Sequence, residues 1–401
     1  MLKKIIKSYD YTLIIAIVLL ACFGLVMVYS ASMVTAMQRY GYDSDFFFQK
    51  QKIHLILAAF VFVLTALFPY KAMKSTKLLF PMVIFSLIGL AALFVFGHVA
   101  GNAQSWFKVG TSSLQPSEFV KLCVIIYMSA VYAKKQSYIN EFNKGVVPPL
   151  AYLFLVCLFV AIQPDFGTAG IIFLIAATII VSSGMNMKNI LRLIAIGAIT
   201  ALPFVLIFAG KIFSKTRMGR FLAYSDPFSV EQGVGYHIAN SYYAIGSGGI
   251  NGLGLGKSIQ KLGYLPEPHT DFIMAVIAEE LGVWGVGFVV VLLSYIVLRG
   301  LYVSMKCKDP FGSLLAIGIS GMIGIQSFIN LGGVSGLIPL TGVPLPFVSY
   351  GGSSLIQLAI ASGILVNVSM FVNYEKNYKN QKEQTEKNVN PLPKKVYQIK
   401  Q

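Results

Sequence analysis

The chain is built from long apolar runs that charged residues interrupt mainly at their ends, and nothing constrains its fold more. Runs long enough to cross a hydrocarbon core of about 30 Å fall near 11–31, 53–70, 77–98, 117–133, 146–163, 166–184, 190–210, 271–298, 312–334 and 353–373. In lipid every backbone N–H and C=O must be bonded within the protein, so such runs fold as helices. The pattern predicts an all-α, polytopic membrane protein with about ten transmembrane helices. Composition agrees, with 56% hydrophobic and 12% charged residues, about half the charged share of a soluble domain. The first run follows MLKKIIKSYD. It is too long for a signal-peptide core and lacks a small-residue cleavage site, so it reads as a retained span.

Loop charge sets the orientation. With the N-terminus inside, the inner segments hold 21 of the 32 Lys and Arg, as the positive-inside rule requires. An even span count returns the C-terminus to the same side, so both termini are cytoplasmic. The organisation is then a cytoplasmic N-terminus (1–10), a membrane domain (11–373) and a cytoplasmic basic tail (374–401) whose Lys, Asn, Gln and Glu content predicts disorder. One large extracellular loop, 211–270, is too short and Gly-rich for a domain of its own. Its 233–256 part suits amphipathic elements lying at the interface. The net charge of +16 matches contact with anionic membrane lipids. No nucleic-acid partner is expected, because no basic stretch alternates with aromatics. The four cysteines, Cys22, Cys123, Cys157 and Cys307, form no C-x-x-C pair and suggest neither zinc nor a disulfide frame.

Ionisable residues inside or beside such spans are costly and are therefore functional candidates. The stretch 257–285, KSIQKLGYLPEPHTDFIMAVIAEELGVWG, places Asp271 at the head of an apolar helix, with Glu279 and Glu280 two turns on. Asp271 also suits a helix N-cap. Around an ideal helix only one of the two glutamates shares its side, and Glu279 is nearer. His269 either tunes this site or binds a metal, or is a loop histidine satisfied by backbone. Glu118 and Lys121 stand at i and i+3 in the fourth span, on one face, as a structural ion pair or as the lining of a polar cavity. Asp165 lies in a tight turn beside Pro164 and Gly167, where an aspartate is also an ordinary turn residue. In the outer loop Arg217 and Arg220 are the preferred anion-binding pair, since guanidinium grips phosphate by a planar fork. The alternative is that they snorkel to headgroups. PLPFVSYGGSS, with Ser349, Tyr350 and Ser353, reads as broken helix that lines a cavity. GLGLGKS fails the phosphate-loop spacing and follows no strand, so no nucleotide site is expected.

Four of these stretches, QPSEFVKL (115–122), QPDFGTAG (163–170), GYLPEPHTDFIMAVIAEELG (263–282) and PLPFVSYGGSS (344–354), together resemble the signatures of the SEDS family (shape, elongation, division and sporulation). The form YLPEPHTDF is closer to the cell-division and sporulation branches than to the elongation branch. The resemblance implies a ten-span peptidoglycan glycosyltransferase of the bacterial cytoplasmic membrane. It polymerises lipid II, the undecaprenyl-pyrophosphate-linked precursor, on the outer face at the division septum. It also implies a class B penicillin-binding protein (a transpeptidase) and other divisome proteins as partners.

Carried over by motif, Asp271 is the catalytic general base, Lys121 contacts pyrophosphate, Glu118 orients it, and Asp165 is a further site residue. On their own chemistry and placement Arg217, Arg220, His269 and Glu279 are added as candidate substrate-binding residues. Where many members carry an arginine before the loop tryptophan, this chain reads NAQSWFKVG, with Gln104 and Ser105, and Lys108 is the nearest replacement charge. A divalent cation, Mg or Mn, is compatible with a pyrophosphate substrate, but no compact acidic cluster demands one. A lipid II flippase and a non-catalytic divisome scaffold are the competing readings.

Overall fold

The computed structural model describes residues 2–100, 103–110, 112–207, 210, 214–230, 233 and 235–379. A short leading helix, α1 (Leu2–Ser8), is followed by α2 (Tyr11–Tyr40), α3 (Phe46–Leu67) and α4 (Thr76–Phe96). Three short strands come next, β1 (His98–Ala100), β2 (Ala103–Val109) and β3 (Ser112–Leu114), and then α5 (Pro116–Lys134), α6 (Val147–Ile162), α7 (Phe166–Ser182) and α8 (Met187–Ile207). The chain ends with α9 (Lys215–Ser225), α10 (Tyr236–Gly248), α11 (Ile273–Lys306), α12 (Pro310–Val334) and α13 (Gly352–Tyr374). Among the described residues eight helices are long and apolar enough to cross a membrane, and α7 is a shorter apolar helix. Each apolar run identified in the sequence overlaps a helix.

The bundle is held as membrane bundles are, by small and polar residues that let helices approach. Helix α13 packs along α3, and α11 against α12, while α12 also meets α5 and α7. Polar side chains seal this interior. Asn367 on α13 accepts from the Tyr70 amide (2.9 Å) and donates to the Ala66 carbonyl (2.6 Å) at the end of α3. Arg299 on α11 reaches Asp10 at 2.7 Å, which in turn accepts from Ser369. Each bond removes a polar group that hydrocarbon would leave unpaired.

Three features depart from the sequence reading. The segment before α5 is a three-stranded antiparallel sheet in the order β1–β2–β3, with Phe107 opposite Leu114 and Lys108 opposite Ser113. An all-α expectation missed it because the strands are too short for a periodic signal. The outer loop carries two helices, α9 and α10, and α10 packs on α11, where a Cβ on Gly248 would overlap the Ala278 carbonyl oxygen. The third departure concerns α11, which is two helices joined at Gly282 (φ 61°, ψ −152°), a conformation open essentially to glycine. A Cβ there would overlap the Ile250 carbonyl oxygen. Residues 272–280 are all buried, while Val283 and Trp284 are exposed. The exposed part of α11 therefore starts after Gly282. The half-helix Ile273–Leu281 is packed within protein, so Asp271 leads into an enclosed helix.

Candidate active site

The loop 263–272 enters this enclosed half-helix and is anchored residue by residue. Glu267 accepts from Thr270 at its carbonyl, through both amide and hydroxyl (3.2 Å each). The Thr270 carbonyl accepts from Ser349 Oγ at 2.6 Å, and the His269 carbonyl accepts from the Tyr350 amide at 2.9 Å. Asn330 Nδ2 donates to the Asp271 carbonyl (2.9 Å) and to the Val343 carbonyl (2.8 Å). The non-helical chain between α12 and α13 thus docks on the loop through Ser349 and Tyr350, and Asn330 pins both segments to α12.

With its backbone fixed, the Asp271 side chain is left uncommitted. The N-cap of α11 is Phe272, and no side-chain cap bond forms. No donor among the described residues reaches the Asp271 carboxylate. Burial pushes its acid up to about 6. The nearby Glu267 carboxylate pushes the same way, and Arg220 opposes them. The helix-cap alternative is therefore not what the geometry realises. Gly342 (φ 76°) lies against this carboxylate, since a Cβ there would come within 3.4 Å of Asp271 Oδ2.

Thr341, the neighbour of Gly342, leads to a second acidic cluster. Its carbonyl lies 3.8 Å from where a side chain on Gly167 would begin. Asp165, two residues before Gly167, caps α7 by accepting from the Thr168 amide at 3.1 Å. Ser105 Oγ on β2 approaches its other oxygen at 3.5 Å. Burial pushes the Asp165 carboxyl above its usual range against the pull of Thr168. Glu118 and Lys121 also act on it, with opposite signs. Those two form a buried bridge of 2.8 Å on α5, and Glu118 Oε2 has no hydrogen-bond partner among the described residues. Asp165, Glu118 and Lys121 thus form one cluster. The non-helical segment Thr341–Gly342 touches Asp271 on one side and the Gly167 turn of this cluster on the other.

The remaining expected residues divide. Arg220 on α9 donates to the Leu340 carbonyl at 3.4 Å and is exposed, so its guanidinium stands at the same crossing. The side chain of Arg217 lies outside the described residues. His269 is buried between Phe47 (4.4 Å) and Tyr350 (5.5 Å), its Nδ1 has no partner among the described residues, and burial takes its pKa down to about 4. It is a neutral packing ring behind the loop. Glu279 is a correction. Its carboxylate is buried and accepts from Ser258 Oγ, the Ile259 amide (2.9 Å) and the Gln260 amide (3.3 Å). With its oxygens taken up by the 258–260 turn it has none left for a substrate.

Its neighbour Glu280 pairs with buried Lys261 at 2.6 Å and with Ser30 at 2.7 Å. This knot ties the outer loop to α2 and to the half-helix. Lys261→Met leaves a buried carboxylate unpaired and is expected to cost about 3 kcal/mol, read as a lower melting temperature in detergent. Adding Glu280→Gln should recover most of it.

Sequence reasoning missed Asn330, Arg39 and His237. Arg39 bridges Glu267 at 3.0 Å, and the His237 ring stands 6.3 Å from that of Phe272. No local pattern marks these, because each acts across more than thirty residues of chain. Among the described residues no three of His, Cys, Asp and Glu stand together as a metal set. Asp165 and Glu118 act on one another electrostatically, and Lys121 already bridges Glu118 at 2.8 Å.

The family model described as "Cell cycle protein" (FtsW, RodA, SpoVE) matches residues 11–374. The chain belongs to the SEDS family. The "Probable peptidoglycan glycosyltransferase FtsW" of Bacillus subtilis (strain 168) is 59% identical over 382 residues, covering 94% of this chain and 95% of that one. "Stage V sporulation protein E" of the same organism is 39% identical, covering 92% and 98%. Two solved structures share the SEDS fold at 23% identity. One is described as "Structural coordination of polymerization and crosslinking by a peptidoglycan synthase complex" (TM-score 0.72; 91% of this chain, 98% of that one). The other is the rod shape determining protein RodA of Thermus thermophilus (TM-score 0.65; 90% and 96%).

Proposed function

We propose that this SEDS protein is a peptidoglycan glycosyltransferase that polymerises lipid II on the outer face of the bacterial cytoplasmic membrane during cell division, with Asp271 as general base. The observation that carries the reading is the uncapped, partly buried Asp271 carboxylate, set across Thr341–Gly342 from the Asp165–Glu118–Lys121 cluster. A base needs a raised pKa and a free oxygen, and departing pyrophosphate needs cations. In the reaction the acceptor sugar's hydroxyl oxygen attacks the donor's anomeric carbon while its proton passes to Asp271. The anomeric C–O bond to pyrophosphate breaks, and configuration inverts. The charge left on pyrophosphate falls to Lys121 and Arg220. The 59% identity to a "Probable peptidoglycan glycosyltransferase FtsW" supports the transferase activity, and the family description "Cell cycle protein" supports a setting in cell division.

The ten-span topology with both termini inside, and the 211–270 segment outside, belong to the same proposal. So does a class B penicillin-binding protein as partner, which the likeness to a peptidoglycan synthase complex supports. The purified protein, mixed in detergent with that partner and lipid II, should build glycan polymer, resolved by gel electrophoresis. Polymer formed where no bilayer exists to cross excludes a flippase or a scaffold as the whole activity. Failure to form any under those conditions, with lipid II translocated in vesicles, would favour the flippase.

A further inference from the structure

Loop residues 267, 269, 270 and 271 are each anchored to a different part of the bundle, and one anchor is unlike the rest. His269, Thr270 and Asp271 are held by buried partners, namely Phe47, Ser349 and Asn330. Glu267 is held from outside. Its Oε1 accepts from Arg39 Nη1 at 3.0 Å and from Tyr40 Oη at 3.3 Å, both at the end of α2. The side chains of Arg39 and Glu267 are 54% and 38% exposed. Such a bridge contributes at most about 1 kcal/mol to stability.

The backbone at Glu267 costs more than that. Its φ is +51°, in the left-handed region that costs a residue with a Cβ about 1–2 kcal/mol. Pro268 follows and further disfavours helical-type conformations at Glu267. Folding alone gives no reason to hold an acid in this posture beneath a surface bridge. The posture does have a local consequence. It turns the Glu267 carbonyl onto the Thr270 amide and hydroxyl, closing the turn that presents Asp271. It also fixes a carboxylate close enough to act on Asp271 electrostatically.

We propose that Glu267, clamped by Arg39 and Tyr40, is a positioning residue that sets both the placement and the basicity of Asp271. This rests on the reading of Asp271 as the base. Three further charged or titratable groups bear on the site. Arg220 faces it from α9. Arg39 acts from α2 on Glu267 and His269. His237 on α10 stands against Phe272. Of the three, Arg220 acts directly on Asp271, with the sign opposite to that of Glu267.

The experiment measures polymerisation of lipid II by the protein with its partner, from pH 5 to 8, for Glu267→Gln, Glu267→Asp and Arg39→Gln. Melting temperatures are read in the same detergent. Glu267→Gln removes a negative neighbour. It should move the acidic limb of the rate profile down by about half a pH unit or more and lower the plateau severalfold, with melting nearly unchanged. Arg39→Gln keeps the Glu267 charge, so it should lower the plateau without that downward movement. Glu267→Asp should recover part of the rate. An unmoved acidic limb in Glu267→Gln, or a rate loss that only tracks a lower melting temperature, overturns the proposal. Its failure is separable from failure of the base assignment, because Asp271→Asn tests that assignment directly.

Discussion

Asp271→Asn should reduce lipid II polymerisation at neutral pH by about a thousandfold, within the range a general base supplies, while raising the thermal stability of the protein. The two effects have one cause. The folded protein holds Asp271 in surroundings that push its acid up to about 6 from an ordinary 3.8. A carboxyl whose pKa is higher folded than unfolded binds its proton more tightly in the native state. Stability is therefore full at low pH and falls as pH rises from about 4 to about 6. Two pH units correspond to about 3 kcal/mol at most, and less here because the group is only partly buried. Asparagine keeps the shape and carries no charge, so the variant should melt higher than wild type at pH 7. The difference should vanish below pH 4. Activity runs the other way. The wild-type rate should climb about tenfold per pH unit up to pH 6 and level off above, where the base is ionised. An Asp271→Asn protein that polymerises at near the wild-type rate, with an unchanged pH profile, would remove the basis of the mechanism. A folded, inactive variant that melts lower than wild type at pH 7 would show that the carboxylate is not held at a cost.

What could be read from sequence divides along a physical line. Each apolar run announced a helix, because lipid leaves a long apolar segment no other regular structure short of a closed barrel. The Glu118–Lys121 bridge was legible from its i, i+3 spacing, and the structure closes it at 2.8 Å. The break at Gly282 was not, because AEELGVWG reads as unbroken apolar helix. What decides it is the Ile250 backbone, from a loop thirty residues earlier in the chain. For the same reason Glu279 passed for a site residue. Helical angles place it on the Asp271 side, but the amides of 259 and 260 and the Ser258 hydroxyl claim it first. Arg39 and Glu267 are 228 residues apart, and no local pattern pairs them.

Lys121→Met should produce the second large effect, and its value lies in comparison with a double substitution. Lys121 is 1% exposed, and among the described residues Glu118 is its bonded partner, with Glu118 Oε2 already unpaired. Removing the ammonium leaves a buried carboxylate with no donor at all, which costs about 3–5 kcal/mol. Loss of activity in that single variant would then be ambiguous, since a destabilised bundle also fails. Glu118→Gln combined with Lys121→Met removes both charges and keeps the volume, and such neutral replacements of a buried pair are often close to neutral in stability. The double variant should therefore melt near wild type. If the pair serves only to make two charges tolerable inside the bundle, polymerisation should return with the stability. If Lys121 neutralises departing pyrophosphate, as proposed, the double variant should stay at least about a hundredfold slower, because nothing else on α5 carries positive charge at that depth. Asp165 sharpens the comparison. Glu118 and Lys121 act on its carboxyl with opposite signs, so the double variant changes the field at Asp165 little, and the remaining loss reports on the missing ammonium.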